Sequence, residues 1–247
     1  MANVEGKVVL VSGGARSMGR AHCELLAKGG AKVVIGDILD EDGEAAAKAI
    51  GGNARYVHLD VTKEADWIKA VGFAEDTFGP ITALVNNAGI GYPAGLEISE
   101  AEYRKFVDVN QVGAFLGMKS VLPSMRKRTS GGASIINISS TAGLRALPGS
   151  FPYVATKFAV TGMSKSAALD LGPEGIRVNS VHPGTIGDTT MLIANKDYIQ
   201  PVIDKTPLRR VAKLSEITSL IEYLVSDESG YCTGGEFVAD GGVLCLH

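Results

Sequence analysis

Tyr153 and Lys157 stand four residues apart in a stretch with helical spacing, so their side chains share a face. A free tyrosine has a pKa of about 10 and is a poor base at neutral pH. An adjacent ammonium favours the tyrosinate and lowers that value, so the pair could exchange a proton with a reacting oxygen. An isolated Y-x-x-x-K is equally an ordinary surface pairing, and its company has to decide. A second feature with chemistry in it is Ser12-Gly13-Gly14-Ala15-Arg16-Ser17-Met18-Gly19. A glycine-rich turn of this kind, between an apolar run and a helix, aims backbone N–H groups and a helix N-terminus at a phosphate. Asp37 follows 18 residues after Gly19, at the end of the next apolar run. A carboxylate there can accept from both ribose hydroxyls of an adenosine, and it would repel a 2′-phosphate. An ordinary βα turn with a capping acid would leave a similar trace, but turn and acid together in one βαβ unit point to a dinucleotide.

The elements that must position these residues are short and alternate. Apolar, β-branched runs predict strands at Lys7–Val11, Lys32–Asp37, Ala54–Leu59, Ala83–Asn86, Ala133–Ser139, Ile176–His182 and Glu236–Ala239. Helical spacing lies between them at Met18–Lys28, Asp42–Ile50, Glu64–Phe78, Glu100–Arg128 (interrupted at Pro123), Tyr153–Leu171 and Ser215–Val225. Seven strands alternating with helices predict an α/β fold, a doubly wound parallel sheet of the Rossmann type with helices on both faces. Residues 1–247 read as a single domain without linker, repeat or low-complexity segment. The least regular stretch, about 185–210, is expected to be a flexible loop beside the substrate.

Composition narrows the classes. The chain has 31 glycines in 247 residues, where the ordinary rate of about 7% would give roughly 17. With 45% hydrophobic and 21% charged residues, neither collagen nor a disordered glycine-rich chain fits. The glycines instead punctuate a fold, at Gly29, Gly30, Gly51, Gly52, Gly79 and Gly172 after helices. A net charge of −3 and the short basic run Arg126-Lys127-Arg128 argue against nucleic-acid or membrane partners. Three cysteines and four scattered histidines give no disulfide framework and no metal-ligand spacing. Without a signal-like segment or a long apolar run, a cytoplasmic protein is expected.

The glycine turn departs from G-x-G-x-x-G and resembles T-G-x-x-x-G-x-G, the fingerprint of the short-chain dehydrogenase/reductase family, with Ser12 for Thr and Ser17 for the middle glycine. The resemblance covers essentially the whole chain. Asp60-Val61 matches the pair that holds the adenine, and Asn86-Asn87-Ala88-Gly89 matches N-N-A-G. Asn110 matches the asparagine of the following helix, and Ser140 precedes Tyr153 by the family's 13 residues. Asn179 to Gly184 resembles N-x-V-x-P-G, and Asp240-Gly241-Gly242 the closing D-G-G.

The resemblance implies hydride transfer between a nicotinamide cofactor and a secondary alcohol or ketone, with a catalytic set of Asn110, Ser140, Tyr153 and Lys157. Tyr153 would be the general acid in reduction and the base in oxidation. Lys157 would bind the nicotinamide ribose and tune Tyr153, Ser140 would hold the substrate oxygen, and Asn110 would support a proton-relay water. Cofactor contacts are expected from Gly13, Arg16, Ser17, Met18, Gly19, Asp37, Ile38, Asp60, Val61, Asn87, Ala88, Gly89, Tyr153, Lys157, Pro183, Gly184, Ile186 and Thr189, with Thr190 the alternative to Thr189. Arg16 argues for NADP and Asp37 for NAD; the fixed carboxylate outweighs a mobile guanidinium, so NAD is expected. Ser139 is read as structural, and His182 as packing.

Leu144, Leu147, Phe151, Met191, Leu192 and Ile193, with Tyr92-Pro93, flank the site and are apolar, which predicts a bulky hydrophobic alcohol or ketone. The turn Gly13-Gly14-Ala15-Arg16, the strand-end Asp37 and Ile138 to Leu144 resemble bacterial hydroxysteroid dehydrogenases of the 3α/20β type. The alternatives are a 3-oxoacyl-carrier-protein reductase using NADPH and, from another class, a non-catalytic dinucleotide-binding regulator. Small residues on two long helices (Gly113, Gly117, Ala159, Ala167, Ala168) would let the helices pair across a two-fold axis, or would pack on the sheet; the resemblance implies a homotetramer.

Overall fold

The strands are apolar on both faces because both faces are covered. All five residues of β1 (Val8–Ser12) are buried, as are all six of β5 (Ala133–Ile138). The others are β2 (Lys32–Asp37), β3 (Ala54–His58), β4 (Ala83–Asn86), β6 (Ile176–Pro183) and β7 (Glu236–Ala239). They form one sheet in the order β3-β2-β1-β4-β5-β6-β7. Every pairing is parallel. The structure is a computed structural model and describes residues 2–128, 131–187 and 199–245.

Alternation along each strand divides the core in two. Val9, Val11, Val33, Ile35, Val85 and Ile136 face α1 (Ser17–Lys28) and a C-terminal helix. Val8, Leu10, Val34, Leu84, Ile135 and Val178 face α3 (Glu64–Phe78), α5 (Gly113–Met125) and α6 (Phe151–Leu171). Trp67 of α3 fills the centre of that second layer with no exposed surface. The remaining helices are α2 (Asp40–Ile50), α4 (Glu100–Phe106), α7 (Ile199–Lys205) and the C-terminal α8 (Leu214–Val225). β1 and β4 lie side at side at the point where the strand order reverses, and ligands of such sheets bind in the crevice beyond the carboxyl ends there.

The structure differs from the sequence expectation in its long helix and in the stretch about 185–210. The long helix is interrupted at Val107–Val112, a π-helical turn, rather than at Pro123. Pro123 lies inside α5 two residues from its end, where the loss of one ladder donor is tolerated. The stretch about 185–210 contains α7, so it is not irregular throughout. Gly113, Gly117 and Ala168 are buried within the subunit. A Cβ on Gly117 would lie 2.7 Å from Trp67 and one on Gly113 3.0 Å from Val61. These residues therefore set the spacing of α5 against the layer beneath it.

His22 of α1 makes a prediction about stability. It is fully buried, with Nδ1 3.1 Å from Thr218 Oγ1 of α8. Burial pushes its pKa down to about 3. The unfolded chain binds this proton near pH 6.5 and the folded chain near 3, so the contribution is complete above about 6.5 and is lost as pH falls toward 3. Unfolding in urea should show about 2 kcal/mol less stability from this group at pH 5 than at pH 7.5. His22→Leu should remove that part of the pH dependence; an unchanged slope would assign the loss elsewhere.

Candidate active site

The glycine turn closes on itself so tightly that side chains are excluded. Gly13 has φ +66°, and a Cβ there would meet Ala88 Cα at 2.8 Å. A Cβ on Gly19 would lie 2.0 Å from the Gly13 carbonyl oxygen and 2.5 Å from Asn87 Nδ2. Ser17 has φ +49°, so it keeps the left-handed backbone that the glycine of the fingerprint would adopt, at a cost of about 1–2 kcal/mol. The Ser12 hydroxyl accepts from the N–H groups of Asn87 and Ala88, both at 3.2 Å. Asn87 Nδ2 donates back to the carbonyls of Ser12 (3.1 Å) and Gly13 (3.0 Å). The ends of β1 and β4 are thus laced together, a role of Ser12 and Asn87 that spacing alone does not reveal.

These residues fit a dinucleotide. Arg16 begins α1 without a side-chain cap, and the first turn of α1 contains no acid, so its N–H groups are open to a phosphate. Met18 is half-buried behind the turn. Asn87 Oδ1 is buried and has no hydrogen-bond partner among the described residues. Asp37 is buried at the end of β2, its Oδ2 accepting from Ala15 N (3.0 Å) and its Oδ1 from Leu39 N (3.2 Å). Ile38 beside it is 59% exposed, an apolar side chain held at the rim. Arg16 is engaged by Asp42 at 2.5 Å. Asp60 accepts from the N–H (3.0 Å) and hydroxyl (2.7 Å) of Thr62, and the Val61 carbonyl takes the Trp67 indole N–H at 3.0 Å.

The second group lies on β5, α6 and the π turn. Ser140 follows β5 and caps a 3₁₀ turn, Thr141–Gly143, its hydroxyl accepting from Ala142 N at 3.1 Å. The Ser140 side chain lies near enough to the Tyr153 hydroxyl to favour its ionised form. Lys157 is buried on the next turn of α6, its Nζ 5.5 Å from the Tyr153 ring centroid. Asn110 in the π turn donates to Ile90 O (2.9 Å) and Thr156 Oγ1 (3.2 Å) and accepts from Ile90 N (2.8 Å). A Cβ on Gly89 would lie 3.2 Å from Asn110 Oδ1 and 3.6 Å from Lys157 Nζ, so Gly89, Asn110 and Lys157 converge. The π turn is the local device that aims Asn110 inward, and Thr156 is the residue that ties it to α6; neither is visible in periodicity.

Electrostatics differ from the expectation that Lys157 lowers the Tyr153 pKa. Burial pushes the phenol above its ordinary value, and the Ser140 side chain pulls it part of the way back. Lys157 Nζ donates to the Ile138 carbonyl at 2.8 Å and lies 5.5 Å from the Tyr153 ring centroid. Burial lowers the Lys157 ammonium to about 8. In the chain by itself, therefore, Tyr153 holds its proton at neutral pH.

Beyond β6, Gly184 N donates to Ala239 O at 2.9 Å, and a Cβ on Gly184 would lie 2.7 Å from Asp240 Cα. The close approach that requires this glycine is to the end of β7. Pro183 closes β6, and Ile186 is buried and bridged to Ala212. Thr189, Thr190, Met191, Leu192 and Ile193 lie outside the described residues. Ala94 pairs with Gly149 and Phe151, which brings the Tyr92 loop beside the N-terminus of α6. Tyr92 meets the buried Phe106 at 4.6 Å with the rings tilted by 51°, and Phe151, two residues before Tyr153 on α6, meets Tyr103 at 6.2 Å. Ser139 is buried, its hydroxyl 3.0 Å from the Lys157 carbonyl and 3.1 Å from Thr161 Oγ1, contacts that fit a structural role.

A family model described as enoyl-(acyl carrier protein) reductase matches residues 13–244. Among curated proteins, a 3-alpha-(or 20-beta)-hydroxysteroid dehydrogenase of Mycobacterium bovis is 50% identical over 240 residues, 97% of this chain and 90% of the relative. A trans-4-hydroxycyclohexanecarboxylate dehydrogenase of Sinomonas cyclohexanicum is 43% identical over 97% of this chain and 93% of its own. A cyclopentanol dehydrogenase of a Comamonas species is 41% identical over 98% of both. Similarity of this extent joins the geometry at the carboxyl ends of the sheet in one conclusion: the chain is an oxidoreductase and belongs to the short-chain dehydrogenase/reductase family, whose members bind a nicotinamide dinucleotide.

Proposed function

We propose that this protein is an NAD(H)-dependent dehydrogenase interconverting a bulky, hydrophobic, cyclic secondary alcohol and its ketone, with a hydroxysteroid as the leading substrate class. The observation that carries the reading is the convergence of Ser140, Tyr153, Lys157 and Asn110 beside a dinucleotide turn. The bound nicotinamide supplies the hydride chemistry. Ser140 donates to the substrate oxygen and Tyr153, protonated at neutral pH, delivers the proton in reduction and takes it back in oxidation. Lys157 and Asn110 hold the cofactor side of the pocket and the proton path behind Tyr153. The exposed apolar side chains of Tyr92, backed by the buried Phe106, and of Phe151 favour a carbon skeleton over a charged one. The relatives are named for a 3-alpha-(or 20-beta)-hydroxysteroid, for trans-4-hydroxycyclohexanecarboxylate and for cyclopentanol, all alcohols on ring-containing skeletons, which supports the same class here, although the second also carries a carboxylate.

The preference for NAD rests on Asp37, pinned by two backbone donors where a 2′-phosphate would have to sit, while Arg16 is paired with Asp42. Asp37→Ala is expected to raise NADP turnover relative to NAD by at least tenfold, on the scale of one like-charge contact removed from a partly desolvated site. Initial rates with both cofactors measure it, and an unchanged ratio would refute the assignment. Homotetramer formation is supported by exposed apolar side chains on α5 (Phe115) and α6 (Phe158, Leu169). A panel of hydroxysteroids, cyclohexanols and short 3-oxoacyl thioesters with NAD and NADP tests the substrate class. Turnover of the cyclic alcohols with NAD is expected; brisk turnover of acyl thioesters with NADPH, and none of the alcohols, would give the carrier-protein reductase instead.

A further inference from the structure

Ser140 holds its hydroxyl on a short turn rather than on a strand, so something must hold the turn. Its carbonyl accepts two hydrogen bonds. One comes from Gly143 N at 2.9 Å, inside the 3₁₀ turn itself. The other comes from His182, whose Nδ1 lies 2.9 Å from the Ser140 oxygen. His182 is the penultimate residue of β6 and is fully buried. The parallel ladder between β5 and β6 runs as far as Ser139 N, which donates to Val181 O at 2.8 Å. Pro183 has no N–H, so β6 cannot extend the ladder from that residue. A side chain, His182, makes the next link from β6 to the segment after β5.

The tautomer follows from the partners. A carbonyl only accepts, so Nδ1 carries the hydrogen. Nε2 then accepts from the Ser180 hydroxyl, 2.8 Å away, whose alternative acceptor is the Gly235 carbonyl at 3.3 Å. Burial holds the imidazole below its ordinary pKa, which keeps this neutral form. The charged groups that bear on it are Glu236, Lys157 and Lys165.

We propose that His182 is a positioning residue, which clamps the Ser140 carbonyl through Nδ1–H and so fixes where the Ser140 hydroxyl stands relative to Tyr153. The inference rests on the dehydrogenase reading for its kinetic consequence and on geometry alone for the clamp. Packing would require only a side chain of suitable volume; a clamp requires a donor at the Nδ1 position.

Three variants separate the two. His182→Asn places an amide N–H near the Nδ1 position, His182→Gln reaches toward the Nε2 position, and His182→Ala has neither donor. With a cyclic alcohol turned over by the unaltered enzyme, kcat should fall roughly tenfold to a hundredfold in the Gln and Ala variants, the scale of a reacting group misplaced by ~1 Å. His182→Asn should recover kcat to within about threefold, and KM for NAD should stay unchanged in all three. Loss of kcat in the Asn variant equal to that in the Ala variant, or retention in all three, overturns the proposal. Nitrogen NMR of the 15N-histidine-labelled protein gives a readout independent of turnover, and only four histidines need assignment. His182 should appear as the neutral Nδ1–H tautomer; an Nε2–H tautomer refutes the clamp even if the variants fail to fold. If the unaltered protein turns over no alcohol of the panel, the functional reading falls while the NMR result still decides the clamp.

Discussion

Tyr153→Phe is expected to lower alcohol–ketone turnover by about 10²–10⁴-fold while leaving NAD binding nearly intact. The substitution removes one oxygen and keeps the ring that lies 5.5 Å from Lys157 Nζ. Ser140 keeps its bond from Ala142 N, so the turn has no reason to move. A thousandfold loss corresponds to about 4 kcal/mol of transition-state stabilisation, which is the proton transfer itself rather than binding. Single-turnover rates and a fluorescence titration with NADH separate the two effects. Because Tyr153 titrates above its ordinary value, oxidation by the unaltered enzyme should rise with pH through the neutral and mildly alkaline range while reduction stays level until that titration, and the variant should lose the rise. Turnover within tenfold of normal would move the acid–base role to another group.

Gly19→Ala is the second large effect. The added methyl would sit 2.0 Å from the Gly13 carbonyl oxygen and 2.5 Å from Asn87 Nδ2. The first neighbour is backbone, which cannot swing aside as the tip of a long side chain can, so the turn must open. Overpacking of this kind costs about 1–3 kcal/mol of stability. The phosphate cradle is lost with it, and NAD affinity should drop by at least about a hundredfold, or roughly 3 kcal/mol. Gly72→Ala in α3 is the control, since nothing lies within 4 Å of the new methyl. That change should raise stability by about 1 kcal/mol, because alanine is the better helix former. Calorimetry of NAD binding and thermal melts of both variants check the pair; a Gly19→Ala protein that binds NAD normally would show that the turn yields.

Much of this arrangement is legible before any coordinates. β-branched runs such as Val8 to Val11 are buried on both faces, and only a parallel sheet between helix layers does that. Glycines at strand-to-helix junctions mark where backbone must approach backbone, and a Cβ on Gly13 or Gly19 would fall within 3 Å of neighbouring backbone. What periodicity does not carry is direction at the scale of one hydrogen bond. Nothing in Glu100 to Arg128 marks the π turn, because a single wider turn shifts the apolar pattern by less than natural variation hides. Lys157 stands at the spacing that suits Tyr153, yet its ammonium turns to the Ile138 carbonyl, a choice made by a strand 19 residues away. His182 reads as an apolar-face histidine because its partner carbonyl belongs to a loop 42 residues earlier.

The strand order has a consequence for recombination between relatives. On the proposed reading, the groups assigned to the adenosine half lie at the ends of β1 to β3, and those assigned to acid–base chemistry lie on α6, after β5 and in the turn before α5. The two blocks are consecutive in the gene and meet in the sheet along one seam, β1 against β4. A crossover at Gly79-Pro80, in the joint between α3 and β4, would therefore exchange nucleotide preference while each catalytic set stays with its own parent. The seam sets the compatibility rule for such hybrids. The incoming half must bring a hydroxyl for Asn87 and Ala88, as Ser12 does, and an indole that Gly117 can accommodate, as Trp67 is.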